Sequence, residues 1–191
     1  MSVWRKLLNR GSSDASCHTE DEHSTTDGVP TVGIVGTPNV GKSVIFNRLT
    51  GRHATISNYP GTTVTVARGK AKIADNQIEI VDTPGMYSLL PITEEERVAR
   101  SILLDEKPDL IMHVVDAKNL SRMLPLTMQL IEAELNTILI LNMMDETEAA
   151  GIEVDISKLE QELGIPVIST VATAGRGIDT LKTKLENIFT Q

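Results

Sequence analysis

Residues 36–43 read Gly-Thr-Pro-Asn-Val-Gly-Lys-Ser and follow directly on the β-branched run Thr31–Val35. Few short patterns constrain a chain so strongly. The two glycines let the backbone wrap until successive N–H groups converge on one anion, and a helix predicted over Lys42–Thr50 adds the positive end of its dipole. Lys42 brings a charge to the phosphate oxygens, and the Ser43 hydroxyl suits Mg²⁺. Gly36, Thr37, Pro38, Asn39, Val40, Gly41 and Val44 complete the expected cradle. A strand feeding such a loop and then a helix implies an α/β sheet whose ligands sit at the carboxyl ends of its strands.

The rest of the chain keeps that alternation. Val64–Ile73 and Gln77–Asp82 read as strands joined by a turn at Asp75-Asn76. Thr93-Glu94-Glu95-Glu96 is a capping box, so a helix is expected from there to about Asp105, before Lys107-Pro108. Leu110–Asp116, Thr137–Asn142 and Pro166–Thr170 are further strands. Helices are expected with Met123, Leu124, Met128, Ile131 and Leu135 on one stripe, over Ile156–Leu163, and finally with Ile178, Leu181, Leu185 and Ile188 inward. The predicted fold is a three-layer α/β P-loop NTPase, with a mostly parallel six-stranded sheet and one antiparallel edge strand.

Composition narrows the functions open to such a fold. The formal net charge of −8 argues against a protein that coats nucleic acid, which needs a basic face. A single cysteine, Cys17, excludes an internal disulfide and fits a reducing compartment. No apolar run approaches the ~20 residues that span a bilayer. Residues 1–29 are expected to be a flexible extension, polar over Gly11–Pro30, with the folded domain at 30–191. Cys17, His18 and His23 match no closed zinc spacing. His113, inside an apolar strand, reads as structural, and Glu94–Glu96 as partners of a helix dipole.

Two further motifs fall at strand ends. In Asp82-Thr83-Pro84-Gly85, Asp82 is placed to hold Mg²⁺ through water and the Gly85 amide to sense a γ-phosphate. In Asn142-Met143-Met144-Asp145, the Asp145 carboxylate can accept two hydrogen bonds from the guanine ring N–H and exocyclic amine. Adenine offers no such donor pair and would leave that carboxylate desolvated and unpaired. Asn142 either reaches the other edge of the base or ties the loops together. Thr170-Val171-Ala172 closes the site, with the Ala172 amide expected at the guanine oxygen.

These three motifs, in this order, resemble translation-factor-class GTPases with a Ras-like G domain. Within that class the chain resembles the FeoB family of ferrous iron transporters. The likeness runs through Asn58-Tyr59-Pro60-Gly61-Thr62-Thr63-Val64-Thr65, Val81–Leu89, Val114–Ala117 with Asn119-Leu120, Leu126-Thr127 with Gln129-Leu130, Leu163–Val167 and Gly175–Ile178. The resemblance implies GTP and GDP as ligands, Mg²⁺ as cofactor, and Thr63 as the switch threonine that completes the Mg²⁺ shell, with Thr62 adjacent. It implies that Asn39 binds K⁺ beside the β–γ bridge, and that Lys42, Asn39, Thr63 and Gly85 carry a slow, K⁺-stimulated hydrolysis. It also implies a permease partner that moves Fe(II), a place at the cytoplasmic face of the inner membrane, and no nucleic-acid partner.

Departures leave other readings open. Met86 stands where many small GTPases place a water-orienting glutamine, which admits a nucleotide sensor with negligible turnover. Met143 replaces the lysine that usually packs over the base, which implies loose binding. Pro60-Gly61-Thr62-Thr63 also suits an Era-like GTPase of ribosome or tRNA maturation, although that group carries a basic appendage. A FeoB transporter would continue into a helical regulatory domain and a membrane pore, so the chain reads as an excised domain or a stand-alone relative.

Overall fold

A computed structural model describes residues 28–51, 54–73 and 75–190. Residues 1–27 of the expected extension, with Cys17, His18 and His23, lie outside the described residues.

Seven strands form one sheet in the order β2-β3-β4-β1-β5-β6-β7: β1 Thr31–Val35, β2 Ala54–Asn58, β3 Thr65–Ile73, β4 Asn76–Asp82, β5 Leu110–Asp116, β6 Thr137–Asn142 and β7 Val167–Ser169. Strands β4, β1, β5, β6 and β7 pair in parallel, whereas β3 is antiparallel to both β4 and β2. The sheet is mostly parallel with an antiparallel edge, as expected, but it has one strand more than the six predicted. All five residues of β2 are exposed, so it carries no buried–exposed alternation to read. Its only signature is the ladder from Ala54↔Gly69 to Asn58↔Thr65.

Helices cover both faces. On one, α1 (Lys42–Thr50) and α6 (Ile178–Phe189) pack Ile45, Phe46, Leu181 and Leu185 against Ile34, Ile80, Met112 and Ile140. On the other lie α2 (Glu94–Ser101), α3 (Leu120–Glu132) and α5 (Ile156–Leu163), covering Val35, Val81, Ile111, Val115 and Leu139. The capping box at Thr93 forms in full: its hydroxyl accepts from Glu96 N while the Glu96 carboxylate accepts from Thr93 N. The α-helix ends at Ser101 and continues as a π-helical turn, Ile102–Glu106, which stops at Lys107 with φ 51°.

Helix α3 meets its predicted stripe in part. Met123, Leu124 and, just past its end, Leu135 pack against the core, but the most deeply buried residues are Leu126, Thr127 and Leu130, while Met128 is 44% exposed. The polar Thr127, satisfied by His113 Nδ1 at 3.0 Å, belongs to the buried face, which a stripe drawn through apolar residues alone leaves out. Helix α4, Met144–Ala149, is too short and polar to announce itself.

The approach of α1 to the sheet depends on Gly69. A Cβ there would lie 2.8 Å from Thr50 Cγ2 and 3.0 Å from Phe46 Cζ. Gly69→Ala is expected to push α1 outward and cost about 1–3 kcal/mol, read as a lower urea midpoint with an unchanged slope; an unchanged midpoint would refute this account.

Candidate functional site

Strand order reverses at β1, which has β4 on one side and β5 on the other, and the 36–43 loop springs from its carboxyl end. Gly41, φ 94°, leads into α1, and a Cβ on it would run into the Asn142 side-chain amide. Asn39 also takes a left-handed conformation, φ 66°. Lys42 is 8% exposed, and its ammonium donates to the carbonyls of Gly36 (3.1 Å) and Thr37 (3.0 Å). Burial pushes its pKa down, partly countered by the Asp82 carboxylate.

The Ser43 hydroxyl donates to Asp82 Oδ2 at 2.6 Å, while Asp82 Oδ1 is buried with no partner among the described residues. Burial pushes the Asp82 carboxyl above its usual range, against the Ser43 hydrogen bond and Lys42. A hydroxyl and a carboxylate with an unused buried oxygen fit a hard, oxygen-seeking cation such as Mg²⁺. Thr83 is clamped to β1, both its N–H and its hydroxyl bonding Ile34 O. Gly85 lies directly on the loop, since a Cβ there would sit 2.7 Å from Pro38 Cγ. Met86 N donates to Gly36 O at 3.1 Å, and the Met86 side chain is wholly buried.

A cavity of about 400 Å³ is lined on one side by Asn39, Gly41, Lys42, Ser43 and Val44. On the other side stand Asn142, Met143, Asp145, Val171 and Ala172, joined by Glu146 and Thr173, which the sequence reading did not select. Glu146 pairs with Lys118 at 2.7 Å, which raises the Lys118 pKa. Asn142 ties the loops together: Nδ2 donates to Val40 O at 2.9 Å, and Oδ1 accepts from Thr170 Oγ1 and Ala172 N, both at 3.0 Å. The Ala172 N–H, expected at the guanine oxygen, is therefore spent on Asn142. Arg48 of α1 holds the same loop from beneath through the carbonyls of Ala172 (3.1 Å) and Thr173. A lone arginine inside a short helix gave no sequence signal of that role.

Thr62 and Thr63 do not line this cavity. The Thr62 hydroxyl donates to Tyr59 O at 3.0 Å and accepts from Val64 N at 3.2 Å, a closed local turn, whereas Thr63 is exposed. The two threonines left undivided by the sequence are thus in different situations. His113 is fully buried in β5, and burial pushes its pKa down to about 3, so it is neutral. Among the described residues, no group of three or more His, Cys, Asp or Glu is placed to hold a metal ion, and no helix is long and apolar enough to cross a membrane.

Glu96, 7% exposed, serves the segment after Gly85 as well as its own helix. Its carboxylate accepts from the N–H groups of Ile92 (2.9 Å), Thr93 (3.3 Å) and Tyr87 (3.2 Å). These bonds, with Ile92 foremost, hold its pKa below the usual carboxylate range against the opposing effect of burial. The stability it contributes is complete above the unfolded pKa of about 4.3 and is lost as pH falls through the lower native value. Glu96→Gln is expected to flatten the acid limb of the unfolding profile below about pH 4.3; an acid limb identical to wild type would rule this out.

Asn142→Ala is expected to cost about 2–4 kcal/mol, because it frees a buried carbonyl, a hydroxyl and an amide at once. Denaturant titration without nucleotide checks this, and a loss under about 0.5 kcal/mol would contradict it.

The sequence model for "Ferrous iron transport protein B" matches residues 30–185. The Fe(2+) transporter FeoB of Escherichia coli (strain K12) is 42% identical over 160 residues, which make up 82% of this chain and 21% of the transporter. This chain thus matches about a fifth of the length of that relative. Among solved structures, the cytosolic domain of T. maritima FeoB in a GDP form superposes with TM-score 0.81 at 36% identity, covering 84% of this chain and 63% of that one. The FeoB G-domain from Methanococcus jannaschii gives TM-score 0.75 at 38% identity, covering 85% and 99%. The match over nearly the whole folded region, with the phosphate loop and both strand-end motifs inside it, places this chain in the FeoB family, as a G domain of the P-loop NTPase fold.

Proposed function

We propose that this chain is the guanine-nucleotide switch of a ferrous iron transporter, binding GTP with Mg²⁺, hydrolysing it slowly, and timing a Fe(II) permease at the cytoplasmic face of the membrane. The observation that carries the reading is one cavity with two chemically different ends. Lys42 and Ser43 stand at one end and Asp145 at the other, 103 positions apart by number (145 − 42).

At the base end, Asp145 accepts the two guanine donors, and an ATP molecule would leave it unpaired. At the phosphate end, the loop amides and Lys42 hold the β- and γ-oxygens. Ser43 and Asp82 would hold Mg²⁺, which supplies charge neutralisation at those oxygens when bound. Asn39, on the wall of the same cavity, is the residue we assign to K⁺, whose charge beside the β–γ bridge would substitute for an arginine finger. Thr63 and the Gly85 amide are the groups we assign to the γ-phosphate. Their release after hydrolysis would be the switch.

The wholly buried Met86 side chain cannot orient a water molecule, and this one observation favours a second reading, a nucleotide sensor with negligible turnover. Steady-state GTP hydrolysis with Mg²⁺ in KCl against NaCl at equal ionic strength separates the two. The expected outcome is stimulation by K⁺ of about tenfold or more, lost in Asn39→Ala. Equal rates in both salts, unchanged by the substitution, would remove Asn39 from catalysis, and absence of turnover in either salt would establish the sensor.

A further inference from the structure

The segment that follows Gly85 is poorly anchored by burial. Tyr87, Leu90 and Ile92 are 67%, 79% and 84% exposed, and residues 87–92 form no helix or strand. Apart from Leu89, which packs on the core beneath α3, its position rests on hydrogen bonds to two side chains. One is Glu96, already described. The other is Gln129 on α3, a residue of the Leu126-Thr127-x-Gln129-Leu130 stretch that the nucleotide site leaves unexplained.

Gln129 Oε1 accepts from Leu89 N at 2.8 Å and from Ser88 Oγ at 3.1 Å. The Ser88 hydroxyl in turn accepts from Leu90 N at 3.1 Å. Three consecutive residues are therefore organised around one carboxamide oxygen. The amide orientation follows from chemistry, because a backbone N–H can only donate and must face the oxygen. The helix carrying Gln129 is itself rigidly placed. Leu126 and Leu130 pack in one cluster with Met86, Thr127 meets His113, and Met123 Sδ accepts from the Asp116 amide at 3.2 Å and lies 4.0 Å from the Thr37 hydroxyl of the phosphate loop. Helix α3 thus touches the phosphate loop through Met123 and the post-Gly85 segment through Gln129.

We propose that Gln129 is a positioning residue for the γ-phosphate response, a latch that fixes the 88–90 segment to α3 and so presets Gly85 against the phosphate loop. This rests on the proposed guanine-nucleotide switch and deepens it. GDP carries no γ-phosphate and makes no demand on this segment. GTP must meet the Gly85 amide, and a preset amide spares the nucleotide the ordering cost. Loss of the latch therefore weakens a GTP analogue and spares GDP.

The test is the ratio of the Kd for fluorescent GDP to the Kd for a fluorescent non-hydrolysable GTP analogue, both with Mg²⁺. For Gln129→Leu the ratio is expected to fall about tenfold through the analogue alone. Gln129→Glu, which keeps an acceptor at the same reach, is expected to stay within about twofold of wild type. Ser88→Ala, a loop change that does not threaten the core, is expected to lower the ratio about two- to fivefold and to lose less when added to Gln129→Leu than alone. An unchanged ratio in both Gln129→Leu and Ser88→Ala, or equal weakening of GDP and analogue, would overturn the latch while leaving the switch reading intact. Failure of the wild type to bind either nucleotide would overturn that reading and the latch with it.

Discussion

The Asn142 carboxamide joins three stretches of chain at one point beside the cavity. Its amine reaches the Val40 carbonyl in the phosphate loop, and its oxygen takes the Thr170 hydroxyl and the Ala172 amide. All three partners lie at or beyond the carboxyl ends of parallel strands, where the sheet stops supplying hydrogen bonds and the chain would otherwise have to find water. At 3% exposure these bonds are formed away from competing solvent, which raises both their strength and the cost of losing one. The Asp145 side and the Lys42 side of the cavity are therefore tied together by one side chain. Gly41 is the complement of this device, since only a residue without Cβ leaves room for the Asn142 amide.

Behind the cavity, stiffness is unevenly distributed. The phosphate loop is braced by Met86 N on Gly36 O, by Asn142 Nδ2 on Val40 O and by Lys42 on two of the loop's own carbonyls. The 87–92 segment has Glu96 and Gln129 and little buried surface. A few hydrogen bonds of about 1 kcal/mol each make a region that a ligand can reorganise at modest cost, whereas the loop has more bonds to lose. That contrast suits a domain that binds constantly with one part and responds with another.

What could be read from the sequence follows from where the physics is local. The phosphate loop, the Thr93 capping box and the Asn142–Asp145 motif each depend on residues within a few positions of one another, and their structural settings were legible. Strand β2 was not, because an exposed edge strand is defined by its partner and not by its own pattern. The inward face of α3 was legible only in part, because it includes Thr127, whose burial is intelligible only with His113 beside it. Arg48, Glu146 and Gln129 escaped for the same reason. Each is an ordinary polar residue in a helix whose partner lies far along the chain: Lys118 for Glu146, Ser88 and Leu89 for Gln129, Ala172 and Thr173 for Arg48. The Ala172 amide shows the converse: a motif located the loop, but which donor the loop keeps for itself was decided by Asn142.

The electrostatics of the phosphate end carry the argument one step further. Lys42 and Asp82 are each displaced by burial toward neutrality, the lysine downward and the carboxyl upward, and their mutual attraction only partly offsets this. A folded domain that keeps two desolvated charges and an unpartnered carboxylate oxygen holds a local strain that hydrophobic packing elsewhere must outweigh. Phosphate oxygens beside Lys42 and a divalent cation beside Asp82 are the groups that would relieve it, and both arrive together in the proposed ligand. Binding and folding are then coupled through the same pair of side chains, since a ligand that binds only the native state stabilises it in proportion to its saturation. The acidic balance of the whole chain is no obstacle to an anionic ligand here, because the field at the loop is set by nearby amides and one buried ammonium, while the surface carboxylates are screened by solvent and salt.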